Sequence, residues 1–256
     1  MIIASFNVNG IKARLKTVVG WLKSRKPDVV ALQEIKTTDE TFPVSEIEDL
    51  GYNVVTHGQK SFNGVAILSQ HPIESKQFGL DGDVDDHQAR WIEVETNSIR
   101  VCGLYLPNGN PCPGPKFDYK LDWMQRLYER SLGIIQSEEP VAMLGDYNII
   151  PQKKDAANPE SWINDALFKM ESRSAYQRIL NLGFTDACEV IHKQENLFTF
   201  WDYQRGSWKK NHGVRIDHIL LTPQMADKLV HCEIDSYMRG EEHPSDHVPI
   251  WIEIDH

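Results

Sequence analysis

Short apolar runs recur along this chain, and several end abruptly in polar residues. Ile2 to Val8 runs into Asn7-Val8-Asn9-Gly10, Asp28 to Gln33 carries Val-Val-Ala-Leu into Gln33-Glu34, and Val141 to Leu144 stops at Gly145-Asp146-Tyr147-Asn148. Runs of this length, bounded by turn residues, predict buried strands. Between the first two, Lys12 to Lys26 sets Leu15, Val18, Val19 and Leu22 at helical spacing and stops before Pro27. Strand, helix and strand make a βαβ unit with parallel strands, so Asn7 and Glu34 are expected on one rim.

The pattern continues through the chain. Phe42 to Leu50 predicts a short helix and Tyr52 to His57 a strand, while Asn63 to Ser69 is expected to pair with Arg90 to Glu95 and Ser98 to Leu106 in an antiparallel run. Lys116 to Ser137 holds the longest helical pattern, on Leu121, Met124, Leu127, Tyr128, Leu132 and Ile135, and Pro140 ends it. Pro151 to Asn164 reads as an exposed loop, Ala175 to Leu182 and Asp186 to His192 as helices, and Phe198 to Tyr203 and Val214 to Leu221 as strands, with Asp217 set into the latter. Val248 to Ile252 closes the chain as a last strand. No repeat, low-complexity tract or composition shift marks a linker, so one domain over residues 1–256 is expected.

Composition narrows the class. The 256 residues are 41% hydrophobic and 25% charged, ordinary for a globular protein, and the formal charge of −10 argues against a general polyanion-coating protein. It leaves room for a nucleic-acid enzyme, because a carboxylate site that holds a divalent metal is itself acidic. Cys102, Cys112, Cys188 and Cys232 form no C-x-x-C pair, which speaks against a zinc site and for reduced thiols in the cytosol. The start lacks a basic leader with an apolar core, and no apolar run is long enough to span a bilayer, so a cytosolic protein beginning near Met1 is expected. The acidic stretch Asp81 to His87 fails the spacing of a calcium loop and reads as solvated.

Polar groups collect at the ends of the apolar runs: Asn7, Glu34, Asp146, Asn148, Asp217, Asp246 and His247. A carboxylate inside the Val214 to Leu221 run needs a partner, and Ser245-Asp246-His247, just before the last strand, offers an imidazole for Asp217 to orient. Taken singly, Glu34 reads as a surface charge, Asp146 and Asn148 as a turn, and His247 as a hydrogen-bonded core histidine. Together they make a set rich in Asp and Glu and poor in Cys, which suits a hard cation such as magnesium or manganese. No P-loop and no G-x-S-x-G elbow is present, whereas metal, carboxylate and amide donors suit hydrolysis of a phosphate ester. Tyr105 either packs or donates to a phosphate. The loop Gln204 to Gly213 interleaves Arg205, Lys209, Lys210 and His212 with Trp208, as a nucleic-acid contact requires.

The motifs SFNVNGIKARL, PDVVALQE, GYNVVTHGQK, NGVAIL, GDYNI, TFWDY, GVRIDHIL and PSDHVPIW, in this order over essentially the whole chain, resemble the bacterial exonuclease III branch of the DNase I-like endonuclease/exonuclease/phosphatase family. The resemblance implies a four-layered α/β sandwich of two mixed β-sheets flanked by helices, with the site at one rim. It implies a magnesium- or manganese-dependent enzyme of base-excision repair: an apurinic/apyrimidinic endonuclease, 3′-to-5′ exonuclease and 3′-phosphatase or phosphodiesterase. Its partner would be double-stranded DNA with abasic sites, nicks or blocked 3′ ends, and nothing demands more than a monomer. By motif, Glu34 is the principal metal ligand and Asn7 supports the metal and phosphate region, with Asp146, Asn148, Asp246 and His247 around the metal. Asp146 acts on the attacking water, Asn148 binds the scissile phosphate, Tyr105 contacts phosphate, and Asp217 pairs with His247; either Asp146 or His247 can be written as the proton acceptor. Phe200 or Trp201, with Val214, would wall the pocket for a base-free sugar, and Val214 is smaller than the residue often found there, implying a roomier pocket. Asn9, Arg90, Lys209 and Lys210 complete the expected substrate contacts. A phosphatase of inositol lipids or another small phosphoester is the alternative within the same architecture. A non-catalytic DNA-binding relative is the alternative outside it, and that reading predicts loss of site residues that are all present.

Overall fold

The computed structural model describes residues 1–192 and 196–255. Twelve strands, counted among the described residues, form two six-stranded sheets. The first sheet contains β1 (Ile2–Asn7), β2 (Val29–Gln33), β3 (Asn53–His57) and β4 (Val65–Ser69), with β11 (Leu229–Ile234) and β12 (Ile250–Ile254), in the order β11-β12-β1-β2-β4-β3. The second contains β5 (Ile73–Phe78), β6 (Trp91–Thr96), β7 (Ile99–Tyr105), β8 (Val141–Asp146), β9 (Thr185–Asp186) and β10 (Asp217–Leu221), in the order β5-β6-β7-β8-β10-β9. Both sheets are mixed: β1 is parallel to β2 and β7 to β8, and the other pairings are antiparallel.

The unbroken apolar runs follow from burial of both strand faces. In β2, Val29 and Ala31 face the second sheet while Val30 and Leu32 face helix α1 (Ile11–Arg25); in β4, Val65 and Ile67 divide from Ala66 and Leu68 in the same way, and the short helix α2 (Val44–Glu48) adds Ile47 to the α1 side. Across the sandwich, Ala142 and Leu144 of β8 join the inter-sheet core, and Val141 and Met143 pack under α3 (Pro115–Gln136) and α4 (Met170–Leu180). Four layers result, helix on sheet on sheet on helix. No helix among the described residues is long and apolar enough to cross a membrane.

The βαβ unit at the start forms as expected, and β4 does not pair as expected. It lies between β2 and β3 in the first sheet, whereas β6 and β7 pair with each other in the second and meet β4 only face to face. Periodicity places apolar residues on a buried strand but says nothing about which buried edge receives it. Phe198 to Tyr203 is not a regular strand: Phe200 alone bridges Val214 on one side and His247 on the other. The strand that was expected from Val214 begins at Asp217, so this carboxylate stands at the strand's start and therefore at the rim.

Candidate active site

The rim that carries the polar set is fixed by strand register. Parallel pairing aligns Asn7 with Gln33, one residue before Glu34, and aligns Tyr105 with Asp146, while the antiparallel β8–β10 pair sets Asp217 opposite Asp146. Gly145 allows the close approach of β8 to β7, since a Cβ there would lie 1.9 Å from the Leu104 carbonyl oxygen. The 245–247 segment leads into β12 beside β1, and the Ser245 hydroxyl donates to the Asn7 carbonyl at 2.8 Å. Two sheets thus deliver side chains to a single point.

The Asn7 amide joins the sheets there, donating to Glu34 Oε1 and to Asp146 Oδ2 at 2.9 Å each. Asp146 Oδ1 accepts from the backbone N–H of Asn148 at 2.8 Å, and Asp146 Oδ2 lies 3.7 Å from His247 Nε2. On its other side the ring donates through Nδ1 to Asp217 Oδ2 at 2.8 Å. The Thr199 hydroxyl accepts from the backbone N–H groups of Ile216 and Asp217, both at 3.1 Å, which holds the start of β10. Asn148 adopts a left-handed backbone (φ 48°), donates through Nδ2 to the Leu106 carbonyl at 2.8 Å and accepts at Oδ1 from Asn108 at 3.1 Å.

Burial sets the electrostatics. It drives the Asp146 carboxyl up to about 7, reinforced by the charges of Asp217 and Glu34 and opposed by His247. For His247 burial works against the charged form, but Asp217 and then Asp146 outweigh it and raise the imidazole to about 10. Glu34, also opposed by burial, is nevertheless held below the usual carboxylate range by Lys36, whose Nζ lies 2.6 Å from Glu34 Oε2. The Tyr105 phenol is pushed well above its ordinary value, first by burial and then by Glu34 and Asp146, and so keeps its proton.

These groups fit a divalent cation. Carboxylate oxygens of Glu34 and Asp146 lie within 4.8 Å of one another and of a ring nitrogen of His247, so the carboxylates are the donors and the charged imidazole stands beside them; Asp217, on the Nδ1 side of that ring, has one buried oxygen, Oδ1, without a hydrogen-bond partner. Asp246 stands one step away, accepting from Asn9 Nδ2 at 3.0 Å. Asn9 Oδ1 in turn accepts from Lys36 at 2.5 Å, which ties Asp246 to Glu34 through two side chains.

Residues 4–247 match the Endonuclease/Exonuclease/phosphatase family. The chain belongs to that family. It is 34% identical to exodeoxyribonuclease III of Haemophilus influenzae, covering 97% of this chain and 98% of that one. Among solved structures it is similar to an AP endonuclease from Archaeoglobus fulgidus (38% identity, TM-score 0.96), with all of both chains covered. It is likewise similar to the 3′ phosphatase NExo from Neisseria bound to a product DNA hairpin (35% identity, TM-score 0.97), again over the full length of both. The family's two-sheet sandwich is the architecture described above.

Around this rim the remaining residues are placed unevenly. Arg90 lies over the Tyr105 ring, its guanidinium 4.8 Å from the centroid. The Phe200 ring sits 4.9 Å from that of His247 and lines a cleft of about 450 Å³ with Trp162, Arg205, Lys210 and His212. Trp201 points the other way: it is 2% exposed and packs on Phe198 and Trp208 in the core beneath α1. Val214 is buried with Ile150, Ala156, Leu167, Phe168 and Ile216, underneath Phe200 and not on the cleft surface. Lys209 is exposed on the same loop as Lys210.

Three further buried polar side chains, Lys120, Arg215 and His218, were not legible in the sequence. Lys120 on α3 is fully buried and burial lowers it to about 7, with Asp146 and Asp165 opposing the fall. Arg215, equally buried, binds Asp155 at 2.8 Å and Asp186 at 2.8 Å. Its charge, after burial, keeps His218 neutral, lowered to about 3, so that Nε2–H donates to the Ile149 carbonyl at 3.0 Å. A charged residue in a run of mixed polarity reads as solvated, and only the fold shows it enclosed. The available signal was Arg215 beside Asp217: two opposite charges within one apolar run.

Proposed function

We propose that this chain is a metal-dependent DNA repair nuclease that hydrolyses phosphodiester bonds of duplex DNA, acting as an apurinic/apyrimidinic endonuclease, 3′-to-5′ exonuclease and 3′-phosphatase or phosphodiesterase. The observation that carries this reading is the convergence of Glu34, Asp146 and His247 within 4.8 Å at a rim built from both sheets, in a chain similar to such nucleases along its length. We assign the catalytic unit to residues 1–256 as one domain to which both sheets contribute the site, and place it in the cytosol as a monomer.

Oxygen donors of Glu34 and Asp146, with His247 beside them, favour magnesium or manganese; bound there, the ion supplies positive charge to the phosphoryl oxygens. Asp146, fixed by the Asn7 amide and the Asn148 backbone N–H, accepts a proton from the attacking water. His247 is already protonated at neutral pH and serves as a donor to a phosphate oxygen, held in place by Asp217. The Asn148 amide has two N–H donors, one of them used on Leu106, and offers the other to the scissile phosphate; the Tyr105 hydroxyl adds a further donor. Phe200 and the adjoining cleft take the base-free sugar, and Arg90, Arg205, Lys209 and Lys210 meet the phosphate backbone, with Asn9 and Asp246 bracing the metal side. Double-stranded DNA with abasic sites, nicks or blocked 3′ ends is the partner.

The test is an activity panel on abasic, nicked, 3′-phosphate and blunt duplex DNA in magnesium, with the wild type and Glu34→Ala. All activities should fall together by at least about a hundredfold, as expected for loss of a metal ligand at one shared site. Retention of any one of them at wild-type level would place it elsewhere in the molecule.

A further inference from the structure

Two asparagine turns border the site. Asn108 follows β7 in Leu106-Pro107-Asn108-Gly109, and Asn148 follows β8. Their side chains meet, Asn108 Nδ2 donating to Asn148 Oδ1 at 3.1 Å. Beneath them, Nζ of Lys120 donates to both backbone carbonyls, Asn108 O at 3.1 Å and Asn148 O at 2.6 Å.

We propose that Lys120 is a positioning residue that locks the Asn108 and Asn148 turns together and so fixes the Asn148 amide against the phosphate. The inference rests on the reading of Asn148 as a phosphate contact. Lys120 is 0% exposed on a face of α3 otherwise filled by Phe117, Trp123, Met124 and Leu127. Packing alone would place an apolar side chain there, because burying an amino group is unfavourable unless it is hydrogen-bonded. Both of its carbonyl partners lie outside regular structure and have no strand or helix partner to replace the lysine. Two N–H donors satisfy two carbonyls, so the brace holds in the ammonium and the amine form alike.

The surroundings are shaped to it. Gly109 has φ +90°, and a Cβ there would lie 2.7 Å from Lys120 Cδ and 3.1 Å from the Ala166 Cβ, so only glycine lets the lysine stem pass under the turn. On the far side of Asn148, the next carbonyl, Ile149 O, accepts from His218 Nε2 at 3.0 Å. The left-handed Asn148 is therefore gripped from α3 through Lys120 and from β10 through His218. Lys120 itself touches no reacting atom and acts through Asn148.

A kinetic double-mutant cycle tests this: wild type, Lys120→Met, Asn148→Ala and the double variant, each assayed on a 3′-phosphate duplex after thermal melts confirm folding. Lys120→Met should lower kcat by roughly 10- to 100-fold, the scale of a misplaced electrostatic donor, with KM changed by less than about twofold. In the Asn148→Ala background the same change should lower kcat by no more than about threefold, because coupled groups are non-additive. Full multiplicative losses, or wild-type kcat in Lys120→Met, would overturn the brace. Wild-type activity in Asn148→Ala would instead overturn the phosphate reading on which it rests. Should Lys120→Met not fold, Lys120→Gln, which keeps an amide donor near the carbonyls, enters the same cycle: the brace then predicts a kcat closer to wild type, with any loss vanishing in the Asn148→Ala background, and a loss that persists there in full would overturn it.

Discussion

Asp146 and His247 share one contact at 3.7 Å, and their environments set their proton affinities apart. The residue types leave open which of the two accepts the proton from water. Asp217, bonded to the imidazole at 2.8 Å, keeps it charged up to about 10, while burial keeps Asp146 avid for a proton up to about 7. A charged imidazole has no lone pair to offer, which supports the proposal that the carboxylate accepts the proton. That arrangement has a stability consequence. The folded chain binds the Asp146 proton more tightly than the unfolded chain does, so stability attributable to this group falls as pH rises from about 4 to about 7 and stays low above that. In EDTA, Asp146→Asn should therefore raise the melting temperature, by more at pH 8 than at pH 5, while abolishing turnover in magnesium. A thermal-shift series across pH checks it, and equal shifts at both pH values would show that the carboxyl is not held protonated by its burial.

At the scale of elements, the legible parts were those whose signal is local. The strand, helix and strand at the start carry their periodicities within about thirty residues, and parallel register then follows from handedness and chain length. The partners of β4 were not legible, because strands buried on both faces look alike whichever sheet receives them. Nor were β5 and β11: every residue of β5 after Ile73 is exposed, and β11 buries only Cys232, so neither shows the apolar run of a core strand. Lys120 escaped for the complementary reason, since its enclosure depends on Asn108, Gly109 and Asn148 arriving from elsewhere. In the loop Gln204 to Gly213 the basic residues are sequence-local and their exposure was legible: Arg205, Lys209 and Lys210 are exposed, and Arg205 and Lys210 line the cleft beside Phe200. Tyr203 ties this loop to the site wall, donating to the Pro244 carbonyl at 2.9 Å and accepting from Asn9 and Arg14. Lys209→Ala/Lys210→Ala should lower the slope of log K against log[salt] by about 1.8, two phosphate contacts at about 0.9 each, with kcat little changed. Fluorescence anisotropy on a labelled duplex between low and moderate salt measures it, and an unchanged slope removes both lysines from the docking surface.

The whole molecule matters because neither sheet holds a complete site. Asn7 and Glu34 come from the first sheet, as does the 245–247 segment that leads into β12, while Tyr105, Asp146 and Asp217 come from the second. The Asn7 amide spans the gap with two 2.9 Å bonds, so its geometry depends on the distance between sheets. That distance is set by the inter-sheet core, in which Gly103 of β7 lies against the first sheet: a Cβ there would be 3.2 Å from the Ala31 Cβ and 3.6 Å from Ile67 Cγ1, with Ile92 Cγ2 at 3.2 Å on the neighbouring strand. Ala31 and Ile67 belong to β2 and β4, the strands next to the Asn7–Glu34 side of the rim. Gly103→Val should overpack this layer and destabilise the fold by about 1–3 kcal/mol. The inter-sheet displacement would also reach the rim, because close-packed interiors transmit strain. Urea denaturation combined with steady-state kinetics separates the two effects: kcat should fall by roughly tenfold or more under conditions where the variant is fully folded, because a displacement of about 1 Å at a catalytic constellation is enough for a large loss. A variant that loses stability but keeps wild-type kcat would mean that the rim adjusts independently of the sheets that carry it, and that the Asn7 bridge follows the site without being set by the sandwich.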